Sequence, residues 1–335
     1  MTDGSAGRRP LRAAIVGAGL MGRWHAHAVA HAGHMVSAII DPDAARASLL
    51  ARAYHSARTA ATLQGCDPVD VVHICTPLAT HGALAREALD RGSHVIAEKP
   101  LVASALETTE LLDHAAAAGR LLVPVHQFLF QPGVLRAQQQ LHDIGLLLHA
   151  DFVACTAGAA SRDDAEQNRV AVEVLPHPLS LLARLVSPHI TDVDWQVRHT
   201  RPGELRADGV LAGVSVSALI STGGRPTTNQ LRLLGQRGTI AIDLFHGFAV
   251  TTHGRATRAG KIAQPFVSGA ALLGAASANL VRRAAMREPA YPGLRELVRC
   301  VYEAAATGGV APISATETLA VATTLERIQR LMSPA

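Results

Sequence analysis

The chain has 335 residues, 48% of them hydrophobic, with a formal net charge of +4; its length suggests about two domains. No apolar run approaches the roughly 18 residues of a membrane span, and the basic residues are interleaved with acids and few aromatics rather than gathered into a tract. A membrane protein and a nucleic-acid binder are therefore not expected, and a small-molecule partner is. Four cysteines (Cys66, Cys75, Cys155, Cys300) lie far apart without a CxxC pair, as expected of buried free thiols in a reducing, cytoplasmic compartment.

Met1 to Pro10 is polar and small, with Arg8 beside Arg9; it lacks the apolar core of a secretory signal and reads as a disordered tail. From residue 11 short apolar runs alternate with helical patterns, as in a doubly wound parallel sheet. Arg12 to Val16 is a predicted strand, Gly22 to Ala32 a helix and Met35 to Ile40 a second strand. Asp43 to Tyr54 is helical, and Val69 to Cys75 is a buried strand ending at Thr76-Pro77. Thr80 to Arg91 is a helix stopped by Gly92, and Val95 to Ala97 a strand. Ser104 opens a helix with Glu107 three residues on, a capping box; Gly119 ends it, and Leu121 to Val125 is the next strand.

Beyond residue 126 the pattern changes. A helix near Gly133 to Asp143 leads into a strand, Leu147 to Cys155, and a helix covers His177 to Val186. Strand-like runs follow at Val193 to His199, Gly213 to Ser221, Gln230 to Leu234 and Thr239 to Leu244. Helices return at about Ala270 to Arg287, Gly293 to Ala306 and Ala315 to Met332. The expected architecture is an N-terminal Rossmann domain over 11–126, followed by an α+β substrate domain over 127–335 with a mostly antiparallel open sheet.

The dinucleotide signal is Gly17-Ala18-Gly19-Leu20-Met21-Gly22, which follows the first strand and opens the first helix. Gly17 permits the tight turn, Gly19 lets backbone approach a pyrophosphate, and Gly22 lets helix and strand pack closely. Free N–H groups and the helix dipole favour negative charge there. Asp41 follows 19 residues after Gly22 at the end of the second strand, where a carboxylate binds the adenosine ribose hydroxyls. It repels a 2′-phosphate, so NAD is expected over NADP. His25, His27, His31 and His34 crowd the same helix. His27 and His31 have a spacing that could share a metal, but no acid or Cys accompanies them, and no metal site is expected.

Of the 31 basic residues only two are Lys, Lys99 and Lys261. Arg keeps its proton near neutral pH, whereas Lys can release it once its pKa is lowered. A Lys retained in such a chain therefore marks a possible proton-transfer site. Lys99 lies in Glu98-Lys99-Pro100 at a strand end; Lys261 is expected in a polar loop without a role.

The order of Gly17 to Gly22, Asp41, Thr76-Pro77 with His81, and Glu98-Lys99-Pro100 resembles the Gfo/Idh/MocA family, the glucose–fructose oxidoreductase and inositol dehydrogenase group. Later segments agree with it: His126 to Pro132 (HQFLFQP), Glu173 to His177 (EVLPH) and Leu233 to Asp243 with Gly235 and Gly238. The resemblance implies that Leu20, Met21, Thr76, Pro77, His81, Glu98, Lys99 and Gln127 join the glycines and Asp41 at the cofactor. It implies catalysis by Lys99, His177 and Glu173, and a homo-dimer or homo-tetramer formed through the open second sheet.

Hydride transfer at a carbinol needs a group to exchange the hydroxyl proton, and His or a perturbed Lys can serve. The reading is an NAD(P)-dependent oxidoreductase of a carbinol/carbonyl pair on a sugar-like or derivatised sugar or cyclitol substrate. Two rivals share the fold. One is a non-catalytic nucleotide-sensing regulator, against which an intact Lys99 and His177 argue. The other is an NAD-dependent glycoside hydrolase, which would turn over without net cofactor consumption.

Departures from the family pattern are concentrated in the second half. Glu173 stands where Asp is usual, and Pro176 and Pro178 flank His177, so the helix is expected to start near Pro176. Gln127 replaces a common Asn, and Phe128 and Leu129 replace a common Arg. These residues leave fewer polar groups to hold a free sugar.

Overall fold

The near-continuous apolar runs of the first 125 residues form strands buried on both faces, as parallel sheets require. In the computed structural model, which describes residues 9–156, 162–254, 257–288 and 290–332, they are β1 (Arg12–Val16), β2 (Met35–Ile40), β3 (Arg58–Ala60), β4 (Val71–Ile74), β5 (His94–Ala97) and β6 (Leu122–Pro124). All pairings are parallel, in the order β3-β2-β1-β4-β5-β6. The helices α1 (Leu20–His31), α2 (Ala44–Ala51), α3 (His81–Asp90) and α4 (Ala105–Ala117) connect them. Asp43 caps α2 by accepting from the amides of Ala45 and Arg46, and Ser104 caps α4 by accepting from that of Glu107. The order reverses on either side of β1. The carboxyl ends of β1 and its neighbours therefore border a crevice where ligands of such sheets bind. The Rossmann expectation holds, with β3 the one strand that the sequence did not signal.

The second sheet is mixed and mostly antiparallel, as expected. After α5 (Pro132–Gln140) come β7 (Leu147–Cys155), α6 (Asp164–Val174), α7 (Pro176–Leu185), β8 (Gln196–Arg198), β9 (Glu204–Leu211), β10 (Val214–Ser221), β11 (Thr228–Gly235), β12 (Gly238–Asp243) and β13 (Phe248–His253). Their order is β13-β12-β11-β7-β10-β9-β8, and only β7 and β10 run parallel. Alternation sets the faces: Ala150, Phe152 and Ala154 of β7 and Val216, Ala218 and Ile220 of β10 are buried. His149, Asp151 and Val153 on the other face of β7 are half-buried.

Three helices remain: α8 (Arg258–Ala285), α9 (Pro292–Thr307) and α10 (Ala315–Met332). Helix α8 begins well before the expected Ala270 and runs through Pro265, which removes one intrahelical donor. Lys261 is therefore in its first turn, not in a loop. Its apolar residues include Ile262, Phe266, Leu273 and Leu280, all exposed.

The chain folds as two compact units, Met1–Val125 with Leu294–Ala322, and His126–Gly293 with Thr323–Ala335. The expected single crossing at residue 126 is thereby corrected, because α9 returns to the first unit. Its Leu294, Leu297, Val298, Val301 and Tyr302 recur at helical spacing and are at most 1% exposed. Tyr302 donates to or accepts from His73 of β4 at 2.8 Å, a contact that fixes where the helix docks. Residues 1–8 of the expected tail lie outside the described residues, but Arg9 Nη1 and Nη2 donate to Asp70 at 3.0 and 2.7 Å.

Candidate functional site

The glycine turn sits at the end of β1. Gly17 adopts φ +99°, and a Cβ there would lie 2.6 Å from the Cys75 carbonyl oxygen. A Cβ on Gly22 would meet the Gly17 oxygen at 1.8 Å, so both positions exclude any side chain. Gly19 is the opposite case: a Cβ there meets nothing within 4 Å. It is the N-cap of α1, where no side chain caps the helix and no acid lies in the first turn. Exposed backbone amides beside open space suit a pyrophosphate, which is what the sequence spacing implied.

Asp41 is buried at the end of β2. One carboxylate oxygen accepts from the Ala18 amide at 2.8 Å and the other from the Asp43 amide at 2.9 Å. The acid therefore braces the glycine turn. Arg46, the cation near enough in sequence to receive a phosphate, pairs instead with Asp43 at 3.1 Å.

Thr76 and Pro77 follow β4, and Glu98, Lys99 and Pro100 follow β5. His81 ties the two segments: Nε2 faces the Thr76 carbonyl at 2.8 Å, and Nδ1 faces those of Pro100 and Leu101 at 3.1 Å. At 2% exposure it is a buried clamp between the two loops. Thr80 Oγ1 donates to Thr76 Oγ1 at 2.7 Å and holds the first loop.

Glu98 is enclosed beside Lys99. Its Oε2 accepts from the Lys99 amide at 3.2 Å, and its Oε1 lies 3.3 Å from His25 Nε2. Burial pushes the carboxyl up, but the hydrogen bond from His25, with the charge and backbone amide of Lys99, outweighs it and holds the group below its ordinary range. His25 Nδ1 continues to His73 Nδ1 at 2.8 Å. Burial drives His73 well below its ordinary value. This buried cluster was not foreseen. Its one signal was a histidine inside the apolar strand Val71-Val72-His73-Ile74.

In the second unit, His126 and Gln127 precede and enter a short 3-10 turn over Gln127–Phe130, and all of these side chains are buried. The Gln127 Oε1 atom is buried without a hydrogen-bond partner, and its backbone oxygen lies where a Cβ on Gly293 would come within 2.0 Å. His177 lies in the first turn of α7, which starts at Pro176 as the prolines required. Its ring stacks on Phe128, with centroids 4.2 Å apart and an interplanar angle of 23°. Phe128 is therefore a neighbour of the candidate histidine, while Leu129 is core. Glu173 ends α6 on the preceding helix, where it accepts from Arg169 Nη1 at 2.7 Å and is half-exposed.

A 3-2-1-4-5-6 parallel sheet, an open glycine turn on a helix N-terminus and a carboxylate at the end of the second strand define a dinucleotide-binding domain. Residues 11–126 match the Gfo/Idh/MocA family model, described as "Oxidoreductase family, NAD-binding Rossmann fold". Inositol 2-dehydrogenase 4 of Saccharopolyspora erythraea is 32% identical over 209 residues, 58% of each chain. A dTDP-3,4-didehydro-2,6-dideoxy-alpha-D-glucose 3-reductase of Streptomyces violaceoruber is 30% identical over 60% of this chain and 64% of its own. These alignments span less than two thirds of those relatives. The whole fold is shared with levoglucosan dehydrogenase in complex with NADH and levoglucosan, at TM-score 0.76, 17% identity and coverage of 96% of this chain and 98% of that one.

Proposed function

We propose that the protein is an NAD-dependent dehydrogenase or reductase that moves hydride between nicotinamide and a carbinol/carbonyl pair of a sugar-like substrate. The observation that carries the reading is the set of groups at the carboxyl ends of β1, β2, β4 and β5: an open, uncapped glycine turn, a buried carboxylate, and a lysine beside an ionised glutamate. Relatives named for inositols, levoglucosan and nucleotide-linked deoxysugars support the substrate class.

The turn from Gly17 to Gly22 would hold the pyrophosphate and Asp41 the ribose hydroxyls. Thr76 and Pro77 border the nicotinamide half. The bound nicotinamide supplies hydride acceptance and donation. Lys99 exchanges the proton of the reacting oxygen, or polarises it as a cation. In the second unit His177 is the corresponding candidate, held by its stack on Phe128 and by its place at the start of α7. Glu173 is assigned only a supporting role. NAD is the proposed cofactor over NADP, because Asp41 repels a 2′-phosphate and Arg46 is engaged by Asp43. Four unpaired thiols fit a reducing, cytoplasmic setting, and the half-buried face of the second sheet is the proposed surface for a homo-dimer or homo-tetramer.

The test is a panel of free and derivatised sugars and cyclitols with NAD, followed by NADH absorbance. Turnover of at least one, with NADPH binding weaker than NADH, supports the proposal. Failure of every CH–OH substrate, or equal affinity for the two cofactors, counts against it.

A further inference from the structure

His25, His73 and Tyr302 take no part in the reading above, yet all three are 0% exposed. They come from α1, β4 and α9, which are far apart in sequence, and they end on Glu98. The contacts run from Glu98 Oε1 to His25 Nε2 at 3.3 Å, from His25 Nδ1 to His73 Nδ1 at 2.8 Å, and from His73 Nε2 to the Tyr302 hydroxyl at 2.8 Å.

The direction of this string follows from counting hydrogens. Two Nδ1 atoms at that distance share one hydrogen, so one ring donates there and the other accepts. A carboxylate at Glu98 only accepts, so His25 Nε2 donates to it. A neutral His25 then has a bare Nδ1, which must accept from His73 Nδ1–H. The bare Nε2 of His73 accepts in turn from the tyrosine hydroxyl. Every group is satisfied with one charge, on Glu98. A cationic His25 would still donate to Glu98 but would reverse the His25–His73 and His73–Tyr302 links and leave the Tyr302 O–H to donate elsewhere. Among the described residues Tyr302 has no other hydrogen-bond partner, and an unmet buried hydroxyl is costly. Bonds aligned in this sense also polarise one another.

We propose that Tyr302, His73 and His25 are positioning residues, a one-directional hydrogen-bonded string that fixes the Glu98 carboxylate and, through it, Lys99. The proposal rests on the proton-transfer role given to Lys99 above. Around Glu98 the titratable neighbours are His25, Lys99 and Cys75. Around Tyr302 they are His73, the His34 ring at a centroid distance of 4.5 Å, and Asp70.

Tyr302→Phe removes only the far donor. The expected result is a fall in kcat of about fivefold to tenfold, the effect of one hydrogen bond. The kcat–pH profile should move with it, while NADH affinity and KM stay within about twofold. A lower melting temperature with unchanged kcat and pH profile would reduce the string to a structural role and overturn the proposal. A second readout needs no turnover. The ¹⁵N shifts of the imidazole nitrogens in the wild-type protein should show hydrogen on His73 Nδ1 and on His25 Nε2. The opposite pair of tautomers, or a doubly protonated His25, overturns the direction even if the dehydrogenase reading stands. Absence of turnover in the wild type, with the expected tautomers, would sink that reading and leave the string in place.

Discussion

The two units place their chemistry by different means. In the first, the polar candidate groups and the glycine turn sit at the carboxyl ends of parallel strands: Gly17 after β1, Asp41 after β2, Thr76 after β4, Glu98 and Lys99 after β5. In the second, His177 and Phe128 come from separate segments that meet only because α7 packs against the turn at Gln127–Phe130. A parallel sheet lines up its strand ends at one edge, so spacing along the chain reports on space. A mixed sheet has no such rule, and its site has to be found by contact.

Lys99 offers the sharpest way to break this comparison. Lys99→Ala should lower kcat by roughly 10²–10⁴, the range for losing a positioned acid/base group, with NADH affinity nearly kept. Lys99→Arg should fail too, since Arg keeps charge but not an exchangeable proton. Near-normal steady-state turnover in Lys99→Arg would reduce the lysine to electrostatics.

His177→Asn in the second unit should lower kcat by about 10² or more if the second unit supplies a proton-transfer group. An unchanged kcat with a raised KM would make the His177–Phe128 stack a binding surface only.

Asp41→Ser should shrink the NADH over NADPH preference by about tenfold, near the value of a hydrogen bond to a charged group. It should also lower the melting temperature, since the Ala18 and Asp43 amides lose their acceptor. Fluorescence titration with both nucleotides measures the first effect; a preference left intact would show that Asp41 only braces the turn.

Acid should separate the units. Burial depresses His34, His73 and His94 in the first unit, each below its ordinary value. A histidine depressed in the folded state takes up protons more readily when unfolded, so its contribution is full above about pH 6.5 and is lost as pH falls below that value. Asp70 and Glu98, held low by their partners, act in the same direction at lower pH. Hydrogen exchange between pH 7.5 and 5.5 should show protection lost first in β4 and α9; loss first in β7 and β10 would contradict the assignment.

The smallest effect concerns substrate choice. Phe128→Leu removes an aromatic stack of about 0.5–1.5 kcal/mol, so KM for a derivatised sugar should rise a few-fold with NADH affinity unchanged. A plain hexose or inositol preferred over every derivatised analogue would show that the apolar Phe128 does not shape the pocket.

Local chemistry was enough to determine much of this protein from sequence. Glycine tolerates the φ of +99° at Gly17, Ser104 and Asp43 announce helix starts, Pro176 sets where α7 begins, and apolar runs mark the buried strands. Each is a property of a few adjacent residues. The rest depended on partners remote in the chain. The sequence placed α9 in the second domain because its apolar stripe says only that one face is buried, not against which sheet. The length of α8 escaped because its apolar residues stay exposed and mark no buried face. His81 clamps two loops through the carbonyls of Thr76, Pro100 and Leu101. The string from Tyr302 to Glu98 exists only in the folded protein. A buried polar side chain must find a hydrogen-bond partner wherever the packing offers one, and only the tertiary structure decided which partner that was.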